Sequence, residues 1–184
     1  MAVHPQRLKF GGEHGQLALM TKRDGLAAQA GHDLTIEVTR WSGELEFADG
    51  GTPAGLTAQA DLNSLTVRQG TGGVKPLTDR DRREIAVTAR KLLRVDRYPE
   101  ATFAASGFEP DESGGGVIEG TLSINGADRP TRLSVTKTGK TSYQVSTSVR
   151  QTDFGIKPYT AFLGALKVSD SVSIAVNIDL PELP

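Results

Sequence analysis

The chain has 184 residues, of which 37% are hydrophobic and 23% are charged, a composition typical of an ordinary globular domain. Its formal net charge of -1 gives no general attraction to phosphate backbones, so nucleic-acid binding is not expected. Because the sequence contains no cysteine, disulfides and thiolate metal sites are excluded.

The beginning of the chain shows no targeting signal. Residues 1–10 contain His4, Arg7 and Lys9 and lack the continuous apolar core of a secretory signal peptide. No later window approaches the roughly 18 consecutive apolar residues that a membrane-spanning helix needs. The sequence therefore predicts a cytoplasmic protein without a transmembrane segment, unless a leader has been removed.

The first half of the chain alternates apolar and polar residues, a pattern typical of strands with one buried face. The alternation is clearest in Leu34–Val38, where Thr35 and Glu37 separate the apolar residues. Weaker versions occupy Leu17–Thr21, Trp41–Phe47 and Leu56–Leu62.

The middle of the chain breaks this rhythm. Glycine-rich Gln69–Lys75 is interpreted as a flexible connection. Asp79–Leu93 then carries apolar residues at helical spacing, and Pro99 disfavours continuation of that helix beyond Tyr98. A second short apolar turn or helix is predicted at Tyr159–Leu166.

The second half returns to strands. Asn125-Gly126 favours the positive φ angles of a tight hairpin turn, so the strands on either side should be adjacent and antiparallel. Eight or nine short strands at this spacing predict a sandwich or a closed barrel. The strand candidates here are Ala101–Phe108, Ile118–Ile124, Leu133–Val135, Tyr143–Val149 and Val172–Leu180.

The polar residues predict no enzyme. His4, His14 and His32 are too scattered for a metal motif. An enzyme that uses a dyad of His32 and Asp33 at a barrel mouth is a third and weaker hypothesis, because no G-x-S-x-G serine elbow accompanies it. A structural role, in which the His32 imidazole bonds a loop backbone, is favoured. No metal and no cofactor are predicted.

Several blocks of the sequence together resemble the YceI-like family of lipid-binding proteins. Tyr98–Phe103 is similar to its Y-P-x-A-T-F signature, and Arg80-Asp81 to its R-D pair. The blocks occur in one order over roughly residues 16–180. The others are the L-x-x-N-G-x-x-x-P-x-x-L hairpin at Leu122–Leu133, the R-x-x-D-F-G-I segment at Arg150–Ile156, and the lead into the last strand at Val168–Val172.

This resemblance implies an all-β fold: an eight-stranded, antiparallel, lipocalin-like barrel with one or two short helices. A single domain over residues 1–184 is expected, with its core at about 16–180. The resemblance further implies a non-catalytic protein that carries, stores or sequesters a polyisoprenoid or an isoprenoid quinone. The alternative is a ligand-free barrel that acts through protein partners in a stress or envelope response, and a homodimer is compatible with either.

An isoprenoid tail offers no hydrogen bonds, so the site should be an apolar tube. The predicted tube residues are Leu34, Ile36, Phe47, Leu62, Phe103, Leu122, Tyr143, Val145 and Ile174, with Phe154, Phe162 and Leu166 at one end. Candidates for binding a polar head group are the basic residues near the helix and near Phe154, namely Arg80, Arg82, Arg83, Arg150 and Lys157. For each residue, filled core or solvated surface is the competing interpretation.

Overall fold

The computed structural model describes residues 6–181. Within this range it contains fourteen β-strands, one α-helix and four short 3-10 turns. The 3-10 turns are Ala28–Ala30, Leu62–Ser64, Gln151–Phe154 and Phe162–Gly164. The strands are β1 (Gln6–Gly11), β2 (Gly15–Thr21), β3 (Arg23–Asp24), β4 (His32–Val38), β5 (Trp41–Phe47), β6 (Pro53–Asp61), β7 (Leu65–Gly72), β8 (Glu100–Pro110), β9 (Gly116–Ile124), β10 (Ala127–Lys137), β11 (Ser142–Arg150), β12 (Thr160–Ala161), β13 (Leu166–Val168) and β14 (Ser171–Asp179), and the helix is α1 (Asp79–Leu92).

Eleven strands form one curled antiparallel sheet in the order β1-β5-β6-β8-β9-β10-β11-β14-β2-β4-β7. Three pairs of strands that are neighbours in the chain behave as single bent strands: β1 with β2, β4 with β5, and β6 with β7. In one half β1 pairs with β5 and β5 with β6, and in the other half β2 pairs with β4 and β4 with β7. When each bent pair is counted once, the eleven strands become eight. The predicted lipocalin-like fold class is confirmed, and the finer strand count reflects these corners.

Polar contacts stabilise the corner at which β4 leads into β5 and β6 leads into β7. The Arg40 amide donates to Oγ of buried Ser64 at 3.0 Å, and the Asp61 amide donates to the Arg40 carbonyl at 2.9 Å. The Arg40 guanidinium also donates to the Asp61 carboxylate and lowers its pKa. These bonds pair the backbone groups that the bend removes from the sheet ladder.

The core lies where α1 packs against the inner faces of β4 and β7. Ile36 and Val38 from β4, Leu65 and Val67 from β7, and Ala86 from α1 form one buried cluster. The apolar face of the strands, on which every second residue is apolar, thereby packs against the apolar face of the helix.

The helix α1 begins with a capping box. The Asp81 amide donates to Oγ1 of Thr78, and the Thr78 amide donates to the Asp81 carboxylate at 2.8 Å. These bonds satisfy two amides at the helix end, where no intrahelical acceptor exists. The observed span Asp79–Leu92 agrees with the predicted helix to within one residue.

The hairpin at Asn125-Gly126 is also confirmed. Both residues have positive φ, 55° and 74°, and the turn joins β9 to β10 with Ala127 opposite Ile124. Only glycine, asparagine and aspartate readily adopt such angles, so these two residues specify the turn.

The sequence-based predictions miss some of the strands. The strands β1 and β7 were not predicted, and the expected flexible connection at Gln69–Lys75 is strand up to Gly72. Leu77 packs directly on the strand backbone at Gly70, where a Cβ would lie 2.3 Å from one of its methyl groups. The short apolar turn or helix predicted at Tyr159–Leu166 agrees with the 3-10 turn Phe162–Gly164. This turn joins β12 to β13, which pair with β3 in a separate sheet of order β12-β13-β3.

Candidate ligand-binding cavity

A cavity of about 670 Å³ lies between the inner face of the curled sheet and α1. This volume falls within the range of about 300–1,000 Å³ that is usual for small-molecule sites. Most of its wall is aliphatic. The principal wall residues are Leu19, Leu34, Ile36, Leu65, Val149, Val172 and Ile174 from the sheet, and Ile85, Ala89 and Leu92 from α1.

Burial distinguishes the inner end of the cavity from its mouth. Leu65, Phe154 and Ile156 line the cavity and are at least nine-tenths buried, whereas the lining residues Val74 and Tyr159 are exposed. The charged and imidazole side chains of the wall are all at least partly exposed, and we call the part of the wall that they form with Val74 and Tyr159 the mouth. They are Arg23, His32, Lys75, Asp81, Glu84 and Lys167.

The structure brings five of the twelve predicted tube residues together around this cavity. They are Leu34, Ile36, Phe154, Leu166 and Ile174. Contact between any of them and a ligand remains a prediction.

The other seven lie outside the cavity wall. Leu62 and Phe103 are buried elsewhere in the barrel, and Phe162 is 66% exposed. The remaining four are Phe47, Leu122, Tyr143 and Val145. Period-two alternation identifies the inward face of a strand but not the height along the barrel at which the cavity lies.

None of the five predicted head-group residues lines the cavity. Arg80 pairs with Glu84 at 2.9 Å and Arg82 with Asp79 at 3.6 Å, both along the surface of α1. Arg150 donates to Asp170 at 3.2 Å. The last two are Arg83 and Lys157, both exposed.

Sequence reasoning missed the contribution of α1 to the wall. Ile85, Ala89 and Leu92 recur at intervals of four and three residues, so they share one helix face. That spacing was visible in the sequence, but it indicated only that the helix was amphipathic. The spacing could not show where this face lies relative to the sheet, because that depends on the packing of α1 on β7.

His32 holds a loop at the mouth. Its Nε2 lies 2.8 Å from the carbonyl oxygen of Lys75, as expected for a structural role. The ring packs over Gly73, where φ is 73° and a Cβ would lie 2.3 Å from Nε2. The imidazole thus ties the loop after β7 to the start of β4.

Asp33 is occupied with other partners. Its carboxylate accepts from the Arg23 amide at 2.9 Å and from Lys22 at 3.3 Å, and the Arg23 bond is the main cause of its lowered pKa. Within residues 6–181 no hydrogen bond joins His32 to Asp33. The dyad hypothesis therefore has no contact to support it.

Three of the motif blocks meet in one contact network around buried Asn125, next to Phe154 in the cavity wall. Asn125 is 3% exposed, its Oδ1 accepts from Arg94 Nε at 2.7 Å, and its Nδ2 donates to the Phe154 carbonyl at 2.9 Å. The Arg94 guanidinium lies 5.2 Å from the ring centre of Tyr98, which packs against Gly126. Through Asn125 the network contacts Phe154, which lines the cavity.

A second motif contact fixes the 3-10 turn that carries Phe154. Asp170 accepts from the Thr152 hydroxyl at 2.6 Å and from the Thr152 amide at 2.9 Å. These bonds and the neighbouring Arg150 lower the pKa of Asp170. At the mouth, bonds from the Thr78 amide and hydroxyl likewise lower the pKa of Asp81.

Neither a spanning helix nor a metal cluster is found among residues 6–181. The helix there is too short and too polar to cross a bilayer, and no three His, Asp or Glu side chains are grouped to hold a metal ion.

Comparison with known proteins agrees with this architecture. The crystal structure of BcnA from Burkholderia cenocepacia superimposes with a TM-score of 0.62 at 15% identity, over 89% of this chain and 94% of that one. The YceI protein of Campylobacter jejuni gives a TM-score of 0.57 at 15% identity, over 80% of this chain and 84% of that one. At these identities the likeness concerns the fold alone.

Two relatives are detected by sequence. UPF0312 proteins of Shewanella sp. strain W3-18-1 and of Shewanella putrefaciens strain CN-32 are each 25% identical over 126 residues. The matched region is 64% of this chain and spans 61% of the length of either relative.

The family model described as the YceI-like domain matches residues 11–180. This span includes every motif block discussed above and every residue of the cavity wall. The chain therefore belongs to the YceI-like family.

Proposed function

We propose that this protein binds the hydrocarbon tail of a polyisoprenoid or an isoprenoid quinone in the cavity beneath α1, and that it carries, stores or sequesters that lipid. The observation that carries the proposal is the distribution of the wall residues. Most of the wall is aliphatic, its buried members are all apolar, and its charged side chains are at least partly exposed. Such a site accommodates a long apolar molecule with a polar end near water.

The driving force is the removal of hydrocarbon from water. Each buried methylene contributes about 0.8 kcal/mol, so a tail of a few isoprene units suffices without any hydrogen bond to the protein. Family membership supports the same function, because the family is known for binding polyisoprenoids and other apolar ligands.

The proposal includes no chemical step and no cofactor. His32, the one histidine of the mouth, bonds a loop carbonyl, and the carboxylates of Asp33 and Asp81 accept hydrogen bonds from backbone amides. A cytoplasmic location and a homodimer remain predictions.

Native mass spectrometry of the purified protein, followed by titration with an isoprenoid quinone, tests the proposal. Ala89→Phe places a ring in the cavity, and Val87→Phe adds the same ring on the same helix at an exposed position outside the wall. Displacing only two methylene groups removes about 1.6 kcal/mol, so the Kd should rise about tenfold in Ala89→Phe and stay unchanged in Val87→Phe.

Circular dichroism must show that both variants are folded, because overpacking can destabilise a core. A quinone affinity that is equal in the two variants would exclude this cavity as the site. A wild-type protein that takes up no apolar molecule would instead favour the alternative function through protein partners.

A further inference from the structure

Three large apolar side chains project into solvent beside the cavity mouth. Leu26 and Leu163 are fully exposed, and Phe162 is 66% exposed. We call these three residues the apolar tip. They lie on the small sheet of β12, β13 and β3: Leu26 follows β3, and the other two join β12 to β13.

The two loops of the apolar tip form one unit. The Ala27 amide donates to the Ala165 carbonyl at 2.8 Å, and Gly25 packs so closely on that carbonyl that a Cβ would lie 2.4 Å from its oxygen. Neighbouring residues of the same sheet, Leu166 and Val168, line the cavity. The tip is therefore continuous with the mouth.

The backbone holds the tip in an uncommon conformation. Phe162 and Leu163 have φ angles of 50° and 55°, in the left-handed region that large side chains rarely adopt. Such residues persist where the surrounding structure imposes them, and they concentrate at functional sites. Here the turn directs two large apolar side chains away from the protein.

The charges around the mouth indicate what the tip contacts. Lys157 and Lys167 flank the tip in sequence, and Lys75 lies on the opposite loop of the mouth; all three are exposed. Within residues 6–181 none of these lysines forms an ion pair. The carboxylates nearby are engaged: Asp24 accepts from the Gly25 amide, Asp81 from the Thr78 amide and Glu84 from Arg80. Exposed apolar side chains with unpaired lysines nearby match a surface of hydrocarbon beneath anionic head groups.

We infer that the apolar tip docks the mouth of the cavity onto a lipid bilayer that contains anionic lipids. The tip residues enter the region between head groups and acyl chains, and the lysines contact the head groups. An isoprenoid tail can then pass between the bilayer and the cavity without crossing water. This role in lipid exchange rests on the proposed function, whereas the docking itself can be measured separately.

Vesicle co-sedimentation tests the inference with the full chain. The probes are extruded vesicles of phosphatidylcholine alone and of phosphatidylcholine with phosphatidylglycerol. The double variant Phe162→Asn/Leu163→Asn removes the apolar side chains but keeps residues that tolerate positive φ. The matched control is Val87→Asn, which replaces an exposed apolar residue on α1 outside the cavity wall.

Wild type and Val87→Asn should bind the mixed vesicles more tightly than the neutral ones. The double variant should bind the mixed vesicles at least about tenfold more weakly, because each lost side chain removes the burial of a large apolar group. Lys157→Gln should reduce the preference for the mixed vesicles.

Native mass spectrometry after addition of an isoprenoid quinone from ethanol separates the two proposals. Unchanged quinone uptake by a double variant that no longer binds vesicles supports docking by the tip. Vesicle binding through the tip by a protein that takes up no quinone supports docking and overturns the proposed function. Equal vesicle binding by wild type and double variant overturns the inference. It is also overturned if wild type binds no vesicles and the double variant differs from it only in oligomeric state.

Discussion

The replacement of Asn125 by alanine tests the contact network that joins the motif blocks. Asn125 is buried, and its Nδ2 donates to the Phe154 carbonyl at 2.9 Å. Without that donor the carbonyl stays buried and unpaired, which costs about 1–3 kcal/mol. Alanine at a φ of 55° adds about 1 kcal/mol, because its Cβ crowds the backbone in the left-handed region.

Loss of the Oδ1 acceptor should matter less. Arg94 is exposed, so water can replace the bond that its Nε donates at 2.7 Å. The unfolding free energy of Asn125→Ala should therefore fall by about 2–4 kcal/mol. Because Phe154 lines the cavity, quinone occupancy of the folded variant should fall as well.

Urea denaturation followed by circular dichroism measures the change. Asn125→Gly also removes the side-chain donor but adopts positive φ without strain, so the difference between the two variants isolates the backbone cost. Asn177→Ala, on an exposed position of β14, is the control and should stay within about 0.5 kcal/mol of wild type. An equally small change in Asn125→Ala would refute the reasoning.

Three further predictions concern Gly73 at the mouth, Asp170 beside the turn that carries Phe154, and Thr78 at the start of α1. Gly73→Ala should cost more than Gly50→Ala, because both have positive φ but only the first Cβ meets a neighbour, the His32 ring; equal urea midpoints would contradict this. The pKa of Asp170 is lower in the folded protein than the ordinary aspartate pKa of about 3.9, so ionised Asp170 stabilises the fold at pH values above that ordinary pKa. This stabilisation is lost as the pH falls through the lower pKa of the folded protein. The unfolding free energy of Asp170→Asn should therefore decline less steeply in acid, and an unchanged slope would count against it. Thr78→Ala removes the cap of α1 and should lower the unfolding free energy by about 1 kcal/mol, whereas no change in urea denaturation would exclude a role for the cap.

The sequence predicted those parts of the fold that depend on neighbouring residues. Alternation in Leu34–Val38 and Tyr143–Val149 identified strands, and helical spacing identified α1. Asn125-Gly126 identified a hairpin because so few residues adopt positive φ. β7 was not predicted because its glycines are typical of a loop. The packing of Leu77 on Gly70, which suits a strand, is seen only in the structure.

The site was predicted less completely, for a physical reason. Alternation showed that Ile174 and Val145 point inward, but only the first lines the cavity. The difference depends on where α1 crosses the barrel, a relation between segments far apart in the chain.

The amino-acid sequence by itself determined most of the strands, the Asn125-Gly126 turn, the helix and the family. Only the tertiary structure decided which inward side chains surround the cavity, which charges stand at its mouth and that an apolar tip projects beside it. Local periodicity depends on neighbouring residues, whereas a cavity is defined by surfaces that long-range pairing brings together.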